Sequence, residues 1–109
     1  MIRVGTISYL NSIPFIYGLK KSNLISKINL VYNFPSNTAK SLMNNEVDVA
    51  LMPSAALKYI DNYSIITDFC IGAEKEVDSV CVYSNVDIKN VKEIILDYQS
   101  NTSVELLKI

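Results

Sequence analysis

The sequence contains no histidine and no tryptophan, and it has only two cysteines, three glycines and three prolines. Without histidine, no side chain in its ordinary state changes charge close to neutral pH. A Ser-His-Asp or Cys-His nucleophile is therefore excluded within this chain, and two cysteines without histidine are too few ligands for a regular zinc site. Proton transfer would have to use a carboxyl group, a lysine, a tyrosine or the substrate itself.

An excess of basic charge and long apolar runs are missing as well. Ten basic and eleven acidic residues nearly cancel, whereas a nucleic-acid surface needs a basic stripe. The apolar stretches are too short to span a bilayer, and the N-terminus lacks a signal-peptide pattern. We therefore expect a cytoplasmic protein that binds neither nucleic acid nor membrane. In that compartment, Cys70 and Cys81 are expected to be reduced, buried residues.

The first twenty residues predict a strand, a polar turn and a helix. Ile2 to Ile7 is an apolar run of strand type. After the turn, Ile13, Ile16 and Tyr17 recur at the spacing of one helical face. A strand that feeds a helix N-terminus directs free backbone N–H groups to the space above the strand, and such a place attracts anions.

The same order of patterns returns further along the chain. Further strand patterns lie at residues 28–32, 47–52, 64–67, 78–83 and 93–97, and helical patterns follow Ser36, Pro53-Ser54 and Thr102. Asp48 is the one charge in its strand pattern, and we expect it at the solvated start of the strand rather than in catalysis. The alternation predicts an α/β fold with a mainly parallel sheet and helices on both faces.

The end of the sequence indicates the start of a second unit. Thr102 and Glu105 form a capping-box pattern before a short apolar helical stretch. We expect residues 1–86 to form a first α/β lobe and residues 87–109 to form a crossover and the beginning of a second, truncated lobe. On this interpretation the chain is the N-terminal piece of a longer protein. The apolar residues of the truncated lobe then pack on another copy, pack on the first lobe, or are covered by the rest of the protein.

Four polar turns precede the predicted helices, at residues 8–11, 36–38, 52–54 and 100–103. In a parallel sheet these turns lie at the carboxyl ends of the strands, where ligands of α/β sheets bind. Their hydroxyl and amide side chains either cap the helices or help to hold an anion. Capping explains any single turn better, but four together favour a small anionic ligand. Tyr9 lies in the first turn, where it either forms a wall for the ligand or packs in the core.

Four motifs occur in an order that resembles a known family. They are Ser8-Tyr-Leu-Asn-Ser-Ile-Pro-Phe15, Pro53-Ser-Ala-Ala-Leu57, Asp78-Ser-Val80 and Leu96-Asp-Tyr-Gln-Ser-Asn-Thr-Ser-Val104. The chain thus resembles the chorismate dehydratase family of the futalosine route to menaquinone. The resemblance implies a periplasmic-binding-protein-like fold of type II, with the ligand between two lobes. It also implies a lyase that dehydrates chorismate to 3-[(1-carboxyvinyl)oxy]benzoate without cofactor or metal.

The resemblance also implies roles for individual residues. The substrate's enolpyruvyl carboxylate takes the ring proton, while Asn11 and Ser79 assist the elimination. If residues 78–83 form a strand, Asp78 and Ser79 face opposite sides, and Ser79 is the better neighbour for an anion. The predicted substrate-binding residues are Ser8, Tyr9, Ser54, Thr102 and Ser103. The alternative function is a non-catalytic protein of the same fold that binds a small anion.

Overall fold

The computed structural model describes every residue from Met1 to Ile109. Three strands and three α-helices form, namely β1 (Ile2–Ile7), α1 (Ile13–Lys21), β2 (Ile28–Asn33), α2 (Pro35–Met43), β3 (Val49–Ala50) and α3 (Asn101–Leu107). Single-turn and two-turn 3-10 helices lie at Leu10–Ser12, Ile25–Lys27, Ser54–Tyr59 and Ile88–Asn90. The longest helices have nine residues, and none has the length and apolar character needed to cross a bilayer.

The three strands form one parallel sheet in the order β2-β1-β3. β1 begins and ends where the sequence pattern predicts, and Ile2 stands opposite Ile28. The short β3 is extended by hydrogen bonds at both ends, from Asp48 N to Arg3 O (2.9 Å) and from Leu51 N to Gly5 O (2.9 Å). The predicted α/β class with a parallel sheet is confirmed, but the sheet has three strands rather than the larger number expected.

The core lies where α2 packs on β1. Its buried apolar residues are Ile7, Ala39, Val47 and Ala56, and Thr38 of α2 is fully buried beside them. α1 differs from α2, because it has no buried residue. Ile13 and Tyr17, two members of its predicted apolar face, are exposed. α1 is therefore packed less tightly against the rest of the protein than α2.

The three strands predicted at residues 64–67, 78–83 and 93–97 do not form. Backbone hydrogen bonds in this region are local, such as the one from Val80 N to Val77 O (3.4 Å). An alternating pattern becomes a strand only where a neighbouring strand supplies hydrogen-bond partners, and here none does. Cys70 and Cys81 lie in this region and are exposed, so the prediction that they are buried is wrong.

Two helices begin at other residues than predicted. α2 begins at Pro35, because proline has no N–H and suits the first helical turn, so Ser36 is inside the helix and is not its cap. α3 begins at Asn101 and is capped by Ser100, whose hydroxyl accepts from Ser103 N. The capping box predicted for Thr102 and Glu105 is therefore wrong. The boundary between two lobes after residue 86 stays a prediction.

Candidate functional site

The turn after β1 is fixed by a buried serine. Ser12 is fully buried, and its hydroxyl lies within hydrogen-bond distance of two backbone carbonyl groups, Tyr9 O (2.7 Å) and Ile7 O (2.5 Å). Ser8 N donates to Asn33 O at the end of β2 (3.0 Å). The turn is therefore tied both to the end of its own strand and to the neighbouring strand.

This arrangement leaves the predicted ligand-binding side chains of the turn in different environments. Asn11 lies in the 3-10 helix Leu10–Ser12 and is exposed, as is Ser8. The Asn11 amide takes no part in the hydrogen bonds that hold the turn. Its side chain is therefore exposed and not committed to the turn.

Tyr9 is half-buried and connects the first turn with the end of the chain. Its hydroxyl donates to Gln99 Oε1 (2.8 Å), and Gln99 Nε2 donates to the Tyr98 hydroxyl (2.8 Å). Burial raises the pKa of the Tyr9 phenol above its ordinary value, and the neighbouring Asp97 and Tyr98 raise it further. The phenol therefore stays protonated at neutral pH.

Residues 98–99 also contact the start of α2. Ser36 N donates to Gln99 O (3.3 Å), and Ser36 Oγ donates to Tyr98 O (3.2 Å). Residues 98–99 therefore lie against both the turn after β1 and the N-terminus of α2. The individual site residues predicted from the sequence include neither Gln99 nor Ser36, although Ser36 belongs to one of the four polar turns and Gln99 to the last family-like motif.

Thr102 and Ser103 lie in the first turn of α3, shortly after residues 98–99 in the chain, and both are half-buried. Ser103 N donates to Ser100 Oγ (3.2 Å), and the two serine hydroxyls lie 3.0 Å apart. Ser103 is thus engaged in capping, whereas Thr102 makes no side-chain hydrogen bond within this cap. Of the two, Thr102 is the one whose hydroxyl is available to a ligand.

Ion pairing connects α3 to the 3-10 helix that Ser54 begins. Glu105 pairs with Lys58 of that helix and with Lys108 (2.9 Å), and Tyr59 donates to Glu105 Oε1 (3.3 Å). The hydrogen bond from Lys58, and next the one from Lys108, lower the pKa of Glu105 to about 2. Ser54 itself is exposed. The contacts of Glu105 with Lys58 and Tyr59 therefore link the 3-10 helix of Ser54 to α3.

A cavity of about 250 Å³ lies between α2, the 3-10 helix Ser54–Tyr59 and the start of α3. Its walls are mostly apolar, and Lys40 is the one charged residue among them. The full lining comprises Ser36, Ala39, Lys40, Met43, Ala56, Tyr59 and Asn101.

No hydrogen bond connects Ser79 to the turn after β1, to residues 98–99 or to α3. It lies exposed in a turn from Val77 to Val80, and no strand forms there to direct Asp78 and Ser79 to opposite sides. The structural reason for preferring Ser79 over Asp78 is therefore absent. Asp78 contributes its backbone carbonyl to a contact with Cys81 Sγ (3.8 Å).

Asp48 lies away from the carboxyl ends of the strands. It accepts from Arg3 Nε (3.1 Å), from a terminal guanidinium nitrogen of Arg3 (2.7 Å) and from Arg3 N (2.8 Å). These hydrogen bonds lower the pKa of Asp48 to about 2. The pair is solvent-exposed and joins the starts of β1 and β3, as the sequence predicts for a solvated, structural Asp48. Cysteine and acidic side chains do not gather in groups of three that could hold a metal ion.

Comparison with known proteins identifies the family. A family model described as menaquinone biosynthesis matches residues 2–109, which is nearly the whole chain. No solved structure matches the chain. The family match confirms the resemblance carried by the four sequence motifs at the level of the family. The chain belongs to the menaquinone biosynthesis family.

Proposed function

We propose that this protein acts in menaquinone biosynthesis as a chorismate dehydratase, a lyase that converts chorismate to 3-[(1-carboxyvinyl)oxy]benzoate. Membership of the menaquinone biosynthesis family supports the pathway. The observation that carries the specific activity is the hydrogen bond from the Tyr9 hydroxyl to Gln99 Oε1. It joins the two motifs most typical of the dehydratase family, which are far apart in the sequence.

The proposed site is the edge of the sheet where β1 ends. Asn11 is exposed above this edge, Tyr9 is held beside it, and Thr102 lies on the segment that continues from Gln99. Chorismate carries two carboxylates, and backbone N–H groups at helix starts can hold carboxylates without many cations. A site with hydroxyl and amide side chains and little basic charge therefore suits this substrate.

The proposed reaction makes few demands on the protein. The enolpyruvyl carboxylate of the substrate removes a ring proton, and the electron pair of that C–H bond becomes part of the new aromatic ring. The ring hydroxyl leaves with its bonding pair and, once protonated, is released as water. Because the product is aromatic, the protein has only to orient the substrate and to hydrogen-bond the leaving hydroxyl. We assign that assistance to Asn11. The family resemblance alone extends it to Ser79, which lies exposed in a turn and has no hydrogen bond to this edge of the sheet. We assign substrate binding to Ser8, Tyr9, Ser54, Thr102 and Ser103.

Chorismate turnover tests the proposal directly. The protein is mixed with chorismate, and the ultraviolet spectrum is followed while the product is identified by mass spectrometry. We expect loss of one water and appearance of the aromatic enolpyruvyl benzoate. Binding of chorismate without any conversion would instead indicate the non-catalytic anion-binding protein. Absence of both binding and conversion would exclude chorismate as the ligand of this chain.

A further inference from the structure

Gln99 uses all of its polar groups on named partners. Its side chain accepts from the Tyr9 hydroxyl (2.8 Å) and donates to the Tyr98 hydroxyl (2.8 Å). Its backbone N donates to Asp97 Oδ1 (2.8 Å), and its backbone O accepts from Ser36 N (3.3 Å). A side chain held at both ends of its amide, on a backbone held at both N and O, has little freedom to rotate. Gln99 is thus a fixed point between the turn after β1 and the start of α2.

The direction of the hydrogen bond decides what Tyr9 can offer to a ligand. A phenol has one donor hydrogen and acceptor lone pairs. When Gln99 Oε1 accepts the hydrogen, only lone pairs remain on the outer side of the Tyr9 oxygen. Tyr9 then accepts a hydrogen bond from a hydroxyl group of the ligand, and it has no hydrogen left for a carboxylate.

We infer that Gln99 is a positioning residue which, through Tyr9, makes the site select a ligand hydroxyl rather than a ligand carboxylate at that point. The inference rests on the proposed function, in which the substrate carries one hydroxyl group and loses it. Gln99 does not contact the substrate in this assignment. It sets the position and the hydrogen-bond polarity of the residue that does.

Titration of Tyr9 tests this role without any activity measurement. Tyrosine carrying ¹³C at Cζ is incorporated, and the Tyr9 resonance is assigned with Tyr9→Phe. An acceptor for the phenol hydrogen stabilises the neutral form, so Gln99→Leu should lower the pKa of Tyr9. Gln99→Glu places a negative charge beside the phenol and should raise that pKa. Far-ultraviolet circular dichroism of each variant reports whether the fold is kept.

Opposite shifts in the two variants would support the role of Gln99, because a loss of packing alone moves both variants in the same direction. A rise of the Tyr9 pKa in Gln99→Leu would overturn it, since loss of an acceptor for the phenol hydrogen lowers that pKa. Equal values in all three proteins would also overturn it, because the two side chains would then not interact.

Kinetics with chorismate test the consequence for the substrate. The net contribution of one hydrogen bond predicts that Gln99→Leu lowers kcat/KM by roughly fivefold when Tyr9 is present. In the Tyr9→Phe background the same substitution should have almost no further effect, since Gln99 acts through the Tyr9 hydroxyl. The same loss in both backgrounds would contradict that coupling. If neither the parent protein nor any variant turns over chorismate, the proposed function fails. The Tyr9 titration still decides the role of Gln99 in that case.

Discussion

Gly5 of β1 and Thr38 of α2 lie so close together that a methyl group on Gly5 would press against the Thr38 side chain. A Cβ atom on Gly5 would lie 3.0 Å from Thr38 Cγ2 and 3.3 Å from Val47 Cγ2. Both neighbours are among the most buried residues of the protein. The absence of a side chain at residue 5 therefore sets how closely the helix approaches the strand, and with it the position of the turn that follows β1.

Gly5→Ala should destabilise the protein by about 1–3 kcal/mol, because the added methyl group overpacks a rigid contact. Gly18→Ala is the matched control, since a Cβ there meets nothing within 4 Å. Within a helix, alanine is more stable than glycine by about 0.5–1 kcal/mol, so this variant should be at least as stable as the parent protein. Urea unfolding followed by circular dichroism measures both. Equal stability of the Gly5→Ala variant and the parent protein would mean that α2 can move away from β1 without cost.

Ser12→Ala should cost about 1–3 kcal/mol of unfolding free energy, because it leaves a buried carbonyl without its hydrogen-bond partner. Ser26→Ala is the control, since that hydroxyl is exposed and makes a weak hydrogen bond of 3.4 Å; its effect should stay within about 0.5 kcal/mol. The comparison is made by urea unfolding of the two variants. A similar effect of both substitutions would contradict the role given to Ser12 in holding the turn.

Asn11→Ala should lower chorismate turnover by on the order of a hundredfold, the effect of losing one hydrogen-bond donor at a developing charge. Its stability should stay close to that of the parent protein, because Asn11 is exposed and supports no core contact. Asn23→Ala, an exposed asparagine in another turn, is the control and should keep full turnover. Turnover close to normal in Asn11→Ala would remove Asn11 from the proposed site.

Stability should depend on acid through the Arg3–Asp48 pair. The folded-state pKa of Asp48 is lowered from 3.8 to about 2, so the pair stabilises the protein above the ordinary pKa and this stabilisation is lost as the pH falls from 3.8 towards 2. Asp48→Asn should therefore lose less stability than the parent protein between about pH 5 and pH 2. Thermal unfolding at each pH measures this, with Asp61→Asn as an exposed control outside any ion pair. An identical acid dependence of both variants would refute the contribution of the pair.

Local sequence patterns predict correctly those strands for which the fold also supplies a neighbouring strand. β1 has its predicted bounds, and β2 extends one residue beyond its pattern to Asn33. Residues 78–83 carry an equally good alternating pattern and form no strand. The difference is pairing, because a strand depends on a neighbour that the local pattern does not contain.

The candidate site could be predicted less completely than the fold. Polar turns at the carboxyl ends of strands indicate the edge of the sheet where we propose the site, and they include Tyr9 and Asn11. The contact of Tyr9 with Gln99 joins residues ninety positions apart, and no spacing rule reaches across such a distance. Ser36 shows a second reason why the site is hard to predict. Its place before a helical pattern suggests a helix cap, but Pro35 begins α2. The Ser36 hydroxyl therefore donates to Tyr98 O instead.

The order of strands in the sheet has a consequence for synthesis of the protein. β1 is made first, yet its partners are residues 28–33 on one side and residues 49–50 on the other. During translation the apolar residues Val4 and Ile7 therefore emerge long before either neighbouring strand exists. Parallel pairing between distant segments forms slowly, and unpaired strand edges aggregate. β1, which positions the proposed site in the folded protein, is therefore not fully paired until both partner segments have been made.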